Sequence, residues 1–301
     1  MAPTTRRLHD MYSSGAVAGI AIGSAFASAA IVSAVLLLLL RRSRPTLKLT
    51  TTPSRPPHLR WIPRLEYVHD HFLQPIGHNE LERNFSSLEL HLKTFVYNYF
   101  HTQPVDATTA DTNKIHAMLG VADNHSSSQW PTRLCNTGRD RQFALRAYIA
   151  RVLWARANPR GLVETTFLPV DMLHLDRPLV LETWRAATAT ILSDKYPRDK
   201  LAEGDPRTGN IKRTVADLLD ALQPFRIQER EENSILVLEE LVGRFAVLGF
   251  RLFSNLSTTE VVWPPSSATQ VVLFPALIQY RVVDGYRIVT IKEAITKEVK
   301  K

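Results

Sequence analysis

Twenty-six consecutive residues, Gly15 to Leu40, carry no charge, proline, asparagine or glutamine. The run closes on five leucines, Leu36 to Leu40, and is cut off by Arg41-Arg42-Ser43-Arg44-Pro45. As an α-helix it would measure about 39 Å. The hydrocarbon core of a bilayer is about 30 Å thick, so such a helix can span it with tilt or with its small-residue end in the interface. Lipid offers the backbone no hydrogen-bond partner, and a single segment can satisfy its own groups only as a helix. The apolar stretch of a cleavable signal peptide is about 7–15 residues, shorter than this one. The sequence therefore predicts one transmembrane helix over 15–40, preceded by an N-terminal tail, 1–14.

Charge sets the orientation. The chain has 301 residues with 37 basic and 29 acidic side chains, a net charge of +8. Residues 1–65 hold nine of the basic residues against one acid, Asp10, so they carry the whole excess; residues 66–301 are neutral overall. The cluster Arg41, Arg42, Arg44 and Lys48 adjoins the apolar edge, whereas Arg6 and Arg7 on the other flank are partly offset by Asp10. Positive flanks stay cytoplasmic, which puts the C-terminal body in the cytosol. A single cysteine, Cys135, agrees with a reducing compartment and excludes an intramolecular disulfide. The sequons at Asn84, Asn124 and Asn255 point the other way and are few enough to arise by chance in a Ser/Thr-rich chain.

Residues 41–65 contain five prolines and no acid, which reads as a spacer. Its basic residues suit anionic lipid headgroups, at about 1 kcal/mol each near the surface. Gly15, Gly19 and Gly23 recur at steps of four, a face on which two membrane helices can approach closely and self-associate. A body with no net charge is poor material for phosphate-backbone binding, so nucleic acid is not an expected partner.

Residues 66–301 read as one mainly α-helical α+β domain. Leu81, Phe85, Leu88, Leu92, Phe95 and Tyr99 recur at steps of three and four and predict a helix over 80–100. A short helix is expected over 113–119, then a polar loop over 121–138. Residues 140–157 form a helix apolar on two sides, whose Arg141, Arg146, Arg151 and Arg156 step by five and so spiral round the axis. They read as structural arginines between layers. Asp176 caps a helix with Leu181, Trp184, Thr188 and Ile191 inward, and Asn210 caps another with Ile211, Val215, Leu218 and Leu222 inward. Residues 229–254 predict a long central helix. Residues 277–292 predict an antiparallel β-hairpin about Asp284-Gly285, pairing Ile278 with Ile291, Tyr280 with Val289 and Val282 with Arg287. A strand over 270–274 ends at Pro275, marking an edge or bulge.

The stretch Leu248-Gly249-Phe250-Arg251-Leu252-Phe253-Ser254, then Trp263, then Val272-Leu273-Phe274-Pro275-Ala276-Leu277 resembles the C-terminal part of uncharacterised single-pass membrane proteins of filamentous fungi. The resemblance implies an N-terminal anchor, a long helix and a strand-rich tail, and brings no activity with it.

Chemistry-bearing motifs are sparse. Gly204-Asp205-Pro206-Arg207-Thr208-Gly209 has the outer glycine spacing of a phosphate loop but lacks the Lys and Ser/Thr that would follow. His69, Asp70, His71 and His78 form the most metal-like cluster, although exposed histidines beside a Pro-rich segment explain it as well. Cys135 lies in a polar stretch with no neighbouring base. Asp171, His174 and Asp176 cluster locally, and capping accounts for Asp176. No catalytic residue, metal or cofactor is assigned. The expected function is a membrane-tethered, non-enzymatic interaction or scaffold module. The alternatives are a membrane-anchored enzyme with no recognisable linear motif and a membrane-proximal lipid-binding module. Convergent titratable groups in a concave polar pocket would favour the enzyme, a closed apolar cavity the lipid-binding module, and an exposed apolar patch without a pocket the interaction module. Alkaline carbonate is expected to leave the intact chain in the membrane pellet, and glycosidase to leave its mobility unchanged. Release by carbonate would overturn the span; a mobility shift would overturn the orientation.

Overall fold

The computed structural model describes residues 76–119, 129–158, 162–170, 178–255, 258–265, 270–282 and 286–298. They belong to one compact unit, residues 63–301. Seven α-helices are described: α1 (His78–Tyr99), α2 (Thr112–Leu119), α3 (Trp130–Cys135), α4 (Gly138–Ala157), α5 (Pro178–Ile191), α6 (Arg207–Ala221) and α7 (Glu231–Phe253). Five strands follow: β1 (Thr258–Val262), β2 (Gln270–Phe274), β3 (Ala276–Val282), β4 (Tyr286–Lys292) and β5 (Ile295–Glu298). The architecture is mainly helical, closed by small antiparallel sheets at the C-terminal end. Among the described residues no helix is long and apolar enough to cross a membrane. The run 15–40 with Gly15, Gly19 and Gly23, and the linker with Arg41, Arg42, Arg44 and Lys48, lie outside the described residues.

Helix α4 is buried on every side from Ala144 to Val152, apart from a half-covered Arg151. Its arginines consequently find partners inside the protein, each in a different direction. Arg141 is fully buried and donates to the carbonyls of Leu134 (2.9 Å), Cys135 (3.2 Å) and Gln103. Arg146 pairs with Glu89 on α1. The Arg151 guanidinium lies 4.3 Å from the Trp263 ring centre and 5.7 Å from that of Trp130. Arg156 donates to Met118 Sδ at 3.4 Å. A five-residue step turns each arginine about 140° from the last, so the four tie α4 to the loop after α1, to α1, to the strand side and to α2.

The core centres on four aromatic rings from four elements. Phe85 of α1 lies 5.3 Å from Trp154 of α4 and 4.9 Å from Phe274 of β2, and Trp154 lies 5.1 Å from Phe245 of α7. Apart from Phe85–Trp154, the contacts among these rings, Trp154–Phe274 and Phe245–Phe274 included, are edge-to-face, the arrangement that suits ring quadrupoles. Next to them α4 and α7 touch backbone to backbone. A Cβ built on Gly249 would stand 2.8 Å from Ala157 Cβ and 3.1 Å from Ala157 O, so only glycine fits.

Pro275 separates two sheets. β2 pairs antiparallel with β5, with a bulge between Val272 and Phe274, while β3 lies between β1 and β4. A residue without an N–H ends one ladder and lets the chain begin another. The hairpin register differs from the sequence expectation by one residue. Ile278 pairs with Thr290, Tyr280 with Ile288 and Val282 with Tyr286, leaving three residues between the strands rather than two. The extra residue is absorbed at a bulge beside Leu277, beyond which Leu277 faces Lys292. Opposed residues share a face, and Ile291 is buried with Leu277 and Gln279 while Ile278 is only half covered. A two-residue turn would set the inward Ile291 against the outward Ile278.

Other elements depart in instructive ways. The loop expected over 121–138 contains α3, which buries Trp130 and Leu134 one turn apart. α6 begins at Arg207, so Asn210 lies inside the helix, and its amide donates to Thr166 O at 2.9 Å instead of capping. α5 buries Ala186 and Ala189, while Ile191 is exposed. α7 is a central helix only from Leu238 onward.

Two glycine replacements with opposite signs test this packing. G249A is expected to destabilise by about 1–2 kcal/mol, overpacking outweighing alanine's helical advantage. G209A, with nothing within 4 Å of the added Cβ in the first turn of α6, is expected to stabilise by about 0.5–1 kcal/mol. Denaturant midpoints at unchanged slope would read both.

Candidate interaction surface

Among the described residues, the loop with phosphate-loop spacing takes a structural role. Gly204, at φ +72°, turns the chain so that Asp205 and Arg207 meet in the interior. Arg207 Nε and Nη2 approach the Asp205 carboxylate at 2.9 and 2.5 Å, and the guanidinium is sandwiched 5.2 Å from the ring centres of Tyr196 and Phe250. The loop with phosphate-loop spacing thus seats a stacked ion pair. Burial pushes the Asp205 carboxyl up, but the hydrogen bonds from the Arg207 side chain and backbone outweigh it and hold it below 3.8.

Cys135 is the last residue of α3 and half-buried. Burial pushes its thiol up, against the opposing pull of Arg141, which is the reverse of what an activated nucleophile needs. Ser87 and His91 come within 3.2 Å of each other on α1. The Arg244 guanidinium reaches His91 Nε2 at 3.1 Å and cannot accept a proton, so Nδ1 carries the hydrogen and gives it to Ser87 O at 2.6 Å. In that tautomer His91 is no base for the Ser87 hydroxyl. His69, Asp70, His71, Asp171, His174 and Asp176 lie outside the described residues. Among the described residues no group of three or more His, Cys, Asp or Glu could hold a metal ion.

The fold also leaves some apolar side chains to solvent. α1 turns Leu81, Phe85, Leu88, Leu92 and Phe95 inward. On the opposite side, Leu90, Thr94 and Tyr97 follow one another at steps of four and three, a second stripe about 180° from the first. Leu90 is 56 % exposed and Tyr97 71 %. This crest stands between two grooves. One, of about 370 Å³, runs against α4 and is lined by Leu90, Val96, Tyr97 and Phe143, with Lys93 and Arg146 at its edges. The other, of about 340 Å³, runs against α7, where Val237 and Leu241 face Leu90 and Thr94. Beyond Val237 the exposed apolar surface continues through Leu236 and Ile235. Leaving a leucine in water forgoes about 1.5–3 kcal/mol of burial, and contiguous exposed apolar surface marks contact with something else. The sequence held this signal in the spacing of Leu90, Thr94 and Tyr97, off the core stripe. A third cleft, of about 480 Å³, continues the α1–α7 seam toward Lys200 and Arg251.

Two of the three sequons are closed by the fold. Asn84 Nδ2, the atom a glycan would occupy, is buried on α1, and Asn255 is buried with both amide atoms enclosed. Asn124 lies outside the described residues.

The stretches that carry the fungal resemblance fall at the end of α7, just after β1 and across β2 and β3. No family model matches the chain, and neither does any curated protein or solved structure.

The buried pair generates a pH prediction. Asp205→Asn or Arg207→Met strands a partner in the interior and is expected to cost about 3–5 kcal/mol. A carboxyl held below its unfolded value contributes stability that is fully present well above pH 3.8 and lost as pH falls through its folded value. Wild-type unfolding free energy should therefore drop in that acid window by a component that D205N lacks, measured by denaturant titration at several pH values.

Proposed function

We propose that this protein is a single-pass membrane-tethered module whose body, residues 66–301, faces the cytosol and holds a protein partner without catalysing a reaction. The observation that carries the reading is the apolar crest Leu90–Thr94–Tyr97 with a groove on either side, opposite a core stripe on the same helix. Leu90 and Tyr97 stand exposed opposite the core stripe of α1, and among the described residues nothing covers them. The 26-residue uncharged run supports the tether. The burial of Asn84 Nδ2 and Asn255 removes most of the weight the sequons put against a cytosolic body. In this reading Arg41, Arg42, Arg44 and Lys48 meet anionic headgroups, and Gly15, Gly19 and Gly23 form the face on which the anchors self-associate.

Photo-crosslinking of the full-length protein in its native membranes tests the proposal. A crosslinker placed at Leu90, Tyr97 or Leu236 should trap one shared protein adduct, and one placed at the exposed Lys212 on α6 should not. L90S with Y97S should abolish the adduct while the chain stays carbonate-resistant. The same adducts from every position, or none from the crest, would overturn it.

A further inference from the structure

The first turns of α7 differ from the rest of that helix. Ile235, Leu236 and Val237 are exposed at 38, 67 and 37 %, although they are consecutive. At 100° per residue, the helix there is open over about 200° of its circumference. Glu232, Leu236, Glu239 and Glu240 fall within an arc of about 100°, with Leu236 among the glutamates and Ile235 and Val237 on the two rims. Of the cations nearby, Arg244 binds Glu240 and reaches His91, Arg226 binds Glu231, Arg230 donates to Asn98 O, and Lys200 shares the third cleft with Asp199 and Glu239. Glu232 and Glu239 have no ion-pair partner among the described residues. Glu231 and Glu232 gain from the positive end of the helix, but that gain fades within the first turn and does not reach Glu239. An apolar strip in a negative field opens, through Val237, into the groove that ends at Leu90 and Thr94.

Resting on the function proposed above, we infer that this face takes a basic amphipathic helix of a protein partner. Apolar side chains of the partner, spaced at i, i+3, i+4 and i+7, lie over Leu236, Val237 and Leu90. Lysines or arginines on its flanks approach Glu232 and Glu239. Helix-in-groove recognition has this form, and the charge selects the partner by sign: an acidic helix is repelled by the same field. An anionic membrane surface is repelled likewise.

The full-length protein in nanodiscs of neutral lipid tests the inference. Two synthetic helical peptides share one leucine pattern at that spacing, one with lysine and the other with glutamate at the polar positions, and empty nanodiscs are subtracted. Anisotropy should show the lysine peptide binding at least about tenfold tighter. The margin should shrink as salt is raised from about 0.1 M to 1 M, where the screening length falls from about 10 to about 3 Å. L236S with V237S, both on exposed positions, should weaken the lysine peptide at least about tenfold without shifting the thermal melt. E232Q with E239Q should narrow the margin and leave the glutamate peptide unchanged. Equal binding of the two peptides, abolished by L236S with V237S, would overturn the basic partner while leaving the interaction module standing. Lysine-peptide binding indifferent to L236S with V237S would overturn the site. A dimer in sedimentation that L236S with V237S dissolves would make this face a self-interface and overturn the inference.

Discussion

A helix with almost no solvent side organises this protein. Because α4 is covered almost all round, its buried arginines depend on the elements they face. Arg141 collects two carbonyls of α3 and one from the loop after α1, Arg146 takes Glu89 from α1, and Arg151 lies against the rings of Trp130 and Trp263. The same side chains that would be costly unpaired specify where the neighbours sit. The aromatic cluster of Phe85, Trp154, Phe245 and Phe274 then fills the space those positions define. The close approach of Gly249 to Ala157 follows from drawing α7 in to complete that cluster.

This arrangement leaves α1 with a divided role. One stripe closes the core, and among the described residues nothing covers the stripe across from it. The grooves beside that crest exist because α4 and α7 flank α1 without reaching over it. α7 repeats the division along its length: its C-terminal turns are packed against α4, and its N-terminal turns project past the core with hydrophobic and acidic residues together. The surfaces most in want of a partner therefore adjoin one another, across a groove shared by both helices.

Much of the fold could be read from spacing alone. The inward residues of α1 and α6 were evident because both helices bury a single stripe, and the arginine spiral of α4 was evident because a step of five cannot stay on one face. What spacing missed has physical causes. α3 is six residues long, too short for a period to declare itself, and only its buried Trp130 and Leu134 betray it. Asn210 has the chemistry of a cap but spends its amide on Thr166 O, a partner 44 residues away that no local rule can foresee. The hairpin register turned on one residue of loop length, a choice that Asp284-Gly285 leaves open and the burial of Ile291 decides. The candidate surface was legible in principle, because Leu90, Thr94 and Tyr97 violate the polarity expected of an outward stripe, whereas the exposure of Ile235 to Val237 depends on where the core happens to end. The proposed anchor, by contrast, is read from composition alone, in a run that lies outside the described residues.

The enclosed amide of Asn255 has a consequence for biogenesis. It follows α7 directly and precedes every described strand. A polypeptide threaded into a sugar-transferring lumen would meet the transferase at this position before its last forty-odd residues had emerged. A branched oligosaccharide on that nitrogen has no room in the finished body, so the strands could not close over it. On the topology proposed above, a copy inserted the other way round would thus be marked and left open, a cost set by the geometry of one buried side chain.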